Sequence, residues 1–117
     1  MTARGAGLVL ACVVLIALGQ MLFKAAAGQW RVDAGPWVAL RTLASPSFIA
    51  ALAVYGVATL LWVYALRTVP LGTAFPLYAL TFLLVPVLEH FVFGTPLSAN
   101  ALVGGAVIVA GVAIIAR

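Results

Sequence analysis

Val69 to Leu88 carries no charged side chain, and a run of about 20 apolar residues spans a bilayer core as one helix. In lipid every backbone polar group must find its partner within the protein, so a run like this has few alternatives to a helix. Pro76 and Pro86 interrupt it. In a soluble helix each proline would remove a ladder bond and cost ~3 kcal/mol. Membrane helices tolerate such prolines because neighbouring helices and hydroxyls satisfy the freed carbonyls. The run therefore predicts a bent helix that needs close neighbours. Phe75, Tyr78 and Phe82 lie along it, as expected of a helix that lines a pathway; a packed helix with incidental prolines is the plainer reading.

Three more runs have the same character: the uncharged stretch between Arg4 and Lys24, read as a helix over Ala6 to Ala26, then Phe48 to Leu66, and Asn100 to Ala116. Hydrophobic residues make up 67% of the 117-residue chain and charged residues 7%, with a mean hydropathy of +1.29; soluble domains average about a quarter charged. The expected fold is an all-α membrane protein, a single domain over 1–117. Its four transmembrane helices run approximately over 6–26, 48–66, 70–92 and 100–116, in a tight antiparallel bundle that assembles as a dimer. Ala25-Ala26-Ala27 imitates a signal-peptide cleavage site. However, the apolar run before it exceeds the 7–15 residues of a signal core, and more membrane protein follows.

The net charge of +4 comes from Arg4, Lys24, Arg31, Arg41, Arg67 and Arg117 against Asp33 and Glu89. These charges are scattered, so no nucleic-acid partner is expected. One histidine, one cysteine and two acids give neither a nucleophile–base set nor a metal site. No enzyme, metal or cofactor is therefore predicted. Cys12, inside an apolar run, reads as a small packing residue. Four spans put both termini on one side, with Arg4, Arg67 and Arg117 there and Lys24, Arg31 and Arg41 opposite. Orientation follows an asymmetry of positive residues, and here the two sides are equal.

Gly28 to Ser47 is the one long connection, with turn signals at Gly35-Pro36 and Ser45-Pro46. Trp30 and Trp37 suit the headgroup level. A surface loop is expected, with a short interfacial helix over Trp37 to Ala44 as the alternative. Tyr55 and Trp62 are seven residues apart and share a helix face, which either lines a groove or, the plainer reading, packs against the bundle. The short Arg67–Pro70 link predicts a tight hairpin between the second and third helices. Ser98 and Asn100 are the candidate caps of the fourth helix. On that helix Gly104 and Gly111 share a face with Ala101 and Ile108, a small-residue face that admits another helix, in this chain or in a second copy.

The polar residues within or beside the spans are the candidate site. Gln20 and Lys24 share a face of the first helix, with Gln20 one turn deeper, ~5.4 Å. Taken alone, Lys24 reads as a snorkelling anchor and Arg67 as a loop arginine. The functional alternative is a pair of phosphate ligands, one at each membrane face. Arg67 lies beside a helix amino end and offers a planar fork. Pro76 and Tyr78 mark the bent helix beside them. Glu89 is an acid close to a span end, solvated or paired with His90, and a functional candidate by default.

These residues carry a resemblance. VPLGTAFPLYALTF followed by FGTPLS is similar to the P-x-G-x-A-Y-x opening of the third helix and the G-[EQ]-x-[LV]-S/D turn of the drug/metabolite transporter superfamily. The chain looks like a four-helix member in the size class of the small multidrug resistance proteins, and the likeness covers almost all of it. Gly104 and Gly111 match the paired glycines used there for dimerisation. The drug exporters carry a membrane-embedded glutamate in helix one; Ile16 stands at that position, so the resemblance implies that the proton and cation site is lost. The match is closer to the small subunits of the aminoarabinose–undecaprenyl phosphate flippase. Those also lack the glutamate and share a G-Q-x-x-x-K segment, like Gly19-Gln20-Lys24, and a V-P-x-G-x-A-[YF]-P segment, like Val69 to Pro76. Their loop after helix one is more basic than Gly28 to Ser47.

The resemblance implies a bacterial inner-membrane flippase subunit acting on a polyprenyl-phosphate-linked sugar in lipopolysaccharide modification. Gln20, Lys24, Arg67, Pro76, Tyr78 and Glu89 would line its substrate path, and Gly104 and Gly111 its dimer interface. Alternating access usually sets two repeats against each other, so a second copy or a paralogous four-helix subunit is implied. A small multidrug-type cation exporter and an accessory subunit of a membrane glycosyltransferase are the alternatives. Ile16 disfavours the first. The second needs no polar helix face.

Overall fold

The computed structural model describes residues 3–116, all-helical apart from short connections. Six helices follow one another: α1 (Ala3–Gln29), α2 (Pro36–Leu43), α3 (Pro46–Leu66), α4 (Leu71–Tyr78), α5 (Thr81–Phe93) and α6 (Ala99–Ala116). Four segments are long and apolar enough to cross a membrane: α1, α3, α4 and α5 taken together, and α6. Arg117, one of the charges weighed for orientation, lies outside the described residues.

The long connection is not a plain loop, contrary to the sequence expectation. Pro36 starts α2 after Gly35, whose φ of 105° lies in the left-handed region that favours glycine. Two contacts then clasp the helix to the chain before it. The Trp30 indole Nε1 donates to the Ala39 carbonyl at 2.9 Å. The Thr42 hydroxyl accepts from the Arg31 N–H at 3.0 Å and donates to the Val38 carbonyl at 2.7 Å. Trp37 and Leu40 are left exposed beside Arg41, a mixture suited to the headgroup layer.

Caps explain where the later helices begin. Ser45 accepts from the Phe48 N–H at 3.3 Å, with Pro46 as the first residue of α3. Ser98, rather than Asn100, caps α6, accepting from the Ala101 N–H at 3.1 Å.

The proline-bearing span is interrupted rather than smoothly bent, and the interruption is at Ala79–Leu80, between the prolines. There the N–H groups of Ala79 and Leu80 reach back only three residues, to Pro76 and Leu77, at 3.0 and 3.1 Å. Phe82 and Leu83 repeat the pattern on Ala79 and Leu80. The tightened turns keep the backbone bonded where lipid offers no partner. Buried Thr81 adds a bond from its hydroxyl to the Tyr78 carbonyl at 2.9 Å.

α1 is the central helix. It packs on α3, α4 and α5, while α6 packs on α4 and α5. The core near the α3–α4 turn is built from small side chains: Val9, Ala65, Val69, Ala74, Leu77 and Val112. Apolar lipid gives helices little hydrophobic reason to associate, so close approach through small residues does the work. Two glycines mark the closest approaches: Gly19 of α1 lies under the Tyr55 ring, and Gly105 of α6 under the Leu83 side chain. The hairpin predicted between the second and third helices closes at its turn but not along its length. α3 takes α1 as its main packing partner, because Ala51, Ala58 and Ala65 bury a small-residue stripe. That choice leaves a groove between α3 and α4.

Candidate functional site

The groove has a volume of about 330 Å³. Ile16 of α1 lines it together with Tyr55, Ala58, Thr59 and Trp62 of α3 and Phe75 and Tyr78 of α4. Tyr78 holds two of these walls together. Its ring meets Trp62 edge-on at 5.9 Å and stacks on Phe75 at 5.9 Å with an interplanar angle of 13°. A second hollow of about 360 Å³ is lined by Ile16, Gln20, Tyr78, Thr81, Phe82, Val85 and Pro86. Ile16 and Tyr78 line both hollows, so the two adjoin across the interrupted span. Ile16 is roughly midway between Arg4 and Lys24 along α1, about 12 Å from the level of Lys24 at 1.5 Å per residue. The hollows therefore sit in mid-membrane.

Tyr55 is fixed to α1 in three ways. Its ring covers Gly19, where an added Cβ would lie 2.5 Å from the ring edge. Its hydroxyl accepts a short hydrogen bond from Gln20 Nε2. Phe23 packs on it at 5.0 Å between ring centroids. The hydroxyl uses an acceptor lone pair on Gln20, which leaves its own proton to donate elsewhere. Tyr55 and Trp62, read as packing residues with a groove lining as the alternative, do both. Thr81 and Tyr55 were absent from the sequence-derived site. The seven-residue spacing of Tyr55 and Trp62 and the missing side chain at Gly19 were the signals for Tyr55; nothing in the sequence pointed to Thr81.

The remaining sequence-derived residues are dispersed. Gln20 and Tyr78 come together in the second hollow. Pro86, not Pro76, lines it. Lys24 is exposed, one turn beyond Gln20 toward the α2 end of the bundle. Arg67 is exposed at the other end, its guanidinium carbon 5.5 Å from the centroid of the Tyr64 ring. Glu89 is half-buried on α5 and lines neither hollow. It does not pair with His90. Gly94, at φ 72°, turns the chain back so that the Thr95 carbonyl lies 2.9 Å from His90 Nδ1. Gly104 and Gly111 have nothing within 4 Å of an added Cβ, so the face assigned to dimerisation has room at both glycines, although Ile108 on it packs against the core of the same chain.

A central helix, a laterally placed aromatic groove at mid-span and cations at both ends define a small multi-pass membrane transporter. The profile of the EamA-like transporter family matches residues 2–117, and the chain belongs to that family. It is 40% identical over 113 residues, 96% of each chain, to the probable 4-amino-4-deoxy-L-arabinose-phosphoundecaprenol flippase subunit ArnE of Pseudomonas aeruginosa. The proteins of the same description from Aeromonas hydrophila and Pectobacterium atrosepticum are 38% and 34% identical. They align over 87% and 85% of this chain and 88% and 86% of their own. No solved structure matches the chain significantly. Four apolar spans and relatives of this kind make it a multi-pass protein of the bacterial inner membrane.

Proposed function

We propose that this chain is one subunit of a flippase for 4-amino-4-deoxy-L-arabinose-phosphoundecaprenol. Beside the relatives, the observation that carries the reading is the mid-span groove between α3 and α4. A flipped lipid keeps its tail in the bilayer while its head crosses, so the path needs a lateral opening and a lining that can replace water. The groove offers aromatic faces from Trp62, Phe75 and Tyr78 and neutral hydrogen-bonding groups from Tyr55 and Thr59. Rings can stack on the apolar face of a sugar, and hydroxyls can bond its edge without burying a charge.

Lys24 and Arg67 would meet the phosphate at the two faces, because an unpaired charge at mid-bilayer is costly. Gln20 would pass the head from Lys24 into the second hollow beside Tyr78. Pro76 would act indirectly, through the interrupted span that lets Tyr78 face the groove. Glu89, half-buried near the Lys24 end, is the acid available to a substrate ammonium group. No bond is made or broken in this process, so the chain acts as a transporter without catalysis or cofactor. The open Gly104/Gly111 face would take a paralogous four-helix subunit or a second copy. A cation exporter is disfavoured by Ile16 at the groove, which has no proton to exchange. A glycosyltransferase accessory role leaves the groove unexplained.

Reconstituted vesicles test the reading. The chain, with its partner subunit, should move the lipid-linked amino sugar between leaflets. Lys24→Ala should slow this more than Lys24→Arg, because charge matters more than shape at a point contact. Full rates in both Lys24→Ala and Arg67→Ala would reduce the two residues to interfacial anchors. Proton-driven export of a quaternary ammonium dye without lipid flipping would replace the reading altogether.

A further inference from the structure

We propose that Arg4 and Arg67 together form a binding site for a phosphate carried on a membrane lipid. A pocket of about 290 Å³ opens where the start of α1 meets the α3–α4 turn, lined by Arg4, Leu8, Tyr64, Arg67 and Thr68. Nothing in the spacing of residues 4 and 67 announces this meeting; the packing of α1 on α3 creates it. The proposal adds Arg4 to the site in which the flippase reading places Arg67 alone. It rests on that reading for the identity of the lipid, not for the site itself.

Charge balance is the first argument. The acidic side chains of the sequence are Asp33 and Glu89. Asp33 lies between α1 and α2, and Glu89 near the end of α5, both at the opposite end of the bundle. No carboxylate side chain is therefore available to the two arginines, and an anion is the partner their shared pocket lacks. Geometry is the second argument. The Tyr64 ring lies 5.5 Å from the Arg67 guanidinium carbon, a cation–π contact that holds the group while leaving N–H donors for another partner. The turn beneath is ordered, with the N–H groups of Arg67 and Thr68 bonded to the Tyr64 and Ala65 carbonyls at 3.3 and 3.2 Å. Thr68 supplies a hydroxyl to the same pocket.

The floor is the third argument, and it favours a lipid over a free ion. Leu8 lines the pocket and packs on the apolar core that includes Val9 and Val69. A hydrocarbon chain has a surface to follow from there, whereas an inorganic phosphate gains nothing from it. Two guanidinium forks and one hydroxyl suit the several oxygens of a single phosphate ester.

The test measures binding, not transport. The full-length chain is placed in phosphatidylcholine nanodiscs containing undecaprenyl phosphate, and the lipid retained on the protein is counted by native mass spectrometry. Arg4→Gln and Arg67→Gln should each lower retention by about tenfold, the loss expected for one charge-assisted contact. The double variant should lose more than either single one, since each guanidinium makes its own contact with the phosphate. Arg4→Lys should fall between wild type and Arg4→Gln, and Arg41→Gln, at the other end of the bundle, should match wild type. Undecaprenol, which lacks the phosphate, should be retained weakly and equally by all. Displacement by an equal amount of phosphatidylglycerol would assign the site to bulk phospholipid phosphate; displacement only by large excess would assign it to the polyprenyl lipid. Displacement by inorganic phosphate alone, wild-type retention in Arg4→Gln, or an equal loss of undecaprenol in that variant would overturn the proposal. Retention without flipping would overturn the proposed function and leave this site standing.

Discussion

Gly19 on α1 and Gly104 on α6 are both glycines in long apolar helices, and they do opposite things. Gly19 is buried under the Tyr55 ring, with no room for one more carbon, whereas Gly104 is exposed with nothing within 4 Å. Gly105, one position along, behaves like Gly19 and receives Leu83. Gly111 behaves like Gly104. A small residue in a membrane helix is thus ambiguous by itself: it marks either a contact within the chain or a surface kept clear for another. The chain uses the first kind to fix the groove wall. The second kind is where the proposed function puts a partner.

The comparison is broken most severely at Gly19. Gly19→Val should destabilise the α1–α3 pair by ~1–3 kcal/mol, the usual cost of overpacking, because α1 backbone and a fastened aromatic ring face each other there. The thermal unfolding midpoint in detergent should fall, and Gly19→Ala should lie between. Adding Tyr55→Leu to Gly19→Ala should recover most of the loss. An unchanged midpoint in Gly19→Val would mean that Tyr55 moves freely.

Gly105→Val should cost less, within the same ~1–3 kcal/mol range, because Leu83 can change rotamer more readily than a ring held on three sides. Leu83→Ala should relieve it; if it does not, the α5–α6 contact lies elsewhere.

Tyr55→Phe removes only the hydroxyl that accepts from Gln20 and should cost ~0.5–1.5 kcal/mol, with a matching small drop in the same midpoint. Gln20→Ala in that background should then add little, since the two share one bond.

Gly104→Leu with Gly111→Leu should change the stability of the single chain by no more than ~0.5 kcal/mol while abolishing association with the partner. Crosslinking across α6 in a bilayer reports this. Crosslinks that survive the double substitution would place the interface on another face.

The four spans were legible because bilayer thickness and the cost of charge in lipid act on composition, which one sequence displays. Ser45 and Ser98 were legible as chain breaks because capping is local. Other features depend on contacts distant in sequence. Gln20 and Tyr55 are 35 residues apart, so neither announces the other. Pro76 and Pro86 announced a distortion but not its position at Ala79–Leu80, where the backbone tightens instead. The short connection before Pro70 suggested a hairpin packed along its length, and the alanine stripe of α3 on α1 overrode it. α2 was obscured because its clasp depends on Trp30 and Thr42 reaching across the turn at Gly35. Arg4 looked like an end charge until packing placed it beside Arg67.

The central claim is that the α3–α4 groove is the path of the substrate head, and two adjacent residues of α3 test it. Thr59 lines the groove, whereas Leu60 is 74% exposed on the outer surface. The rate of flipping of 4-amino-4-deoxy-L-arabinose-phosphoundecaprenol should be measured in vesicles for Thr59→Trp and Leu60→Trp, each with the partner subunit present. An indole added at Thr59 fills the groove and should stop flipping, while the same indole at Leu60 should leave the rate near that of the unmodified chain. Equal rates in the two variants would contradict the account and move the path to another face of the bundle.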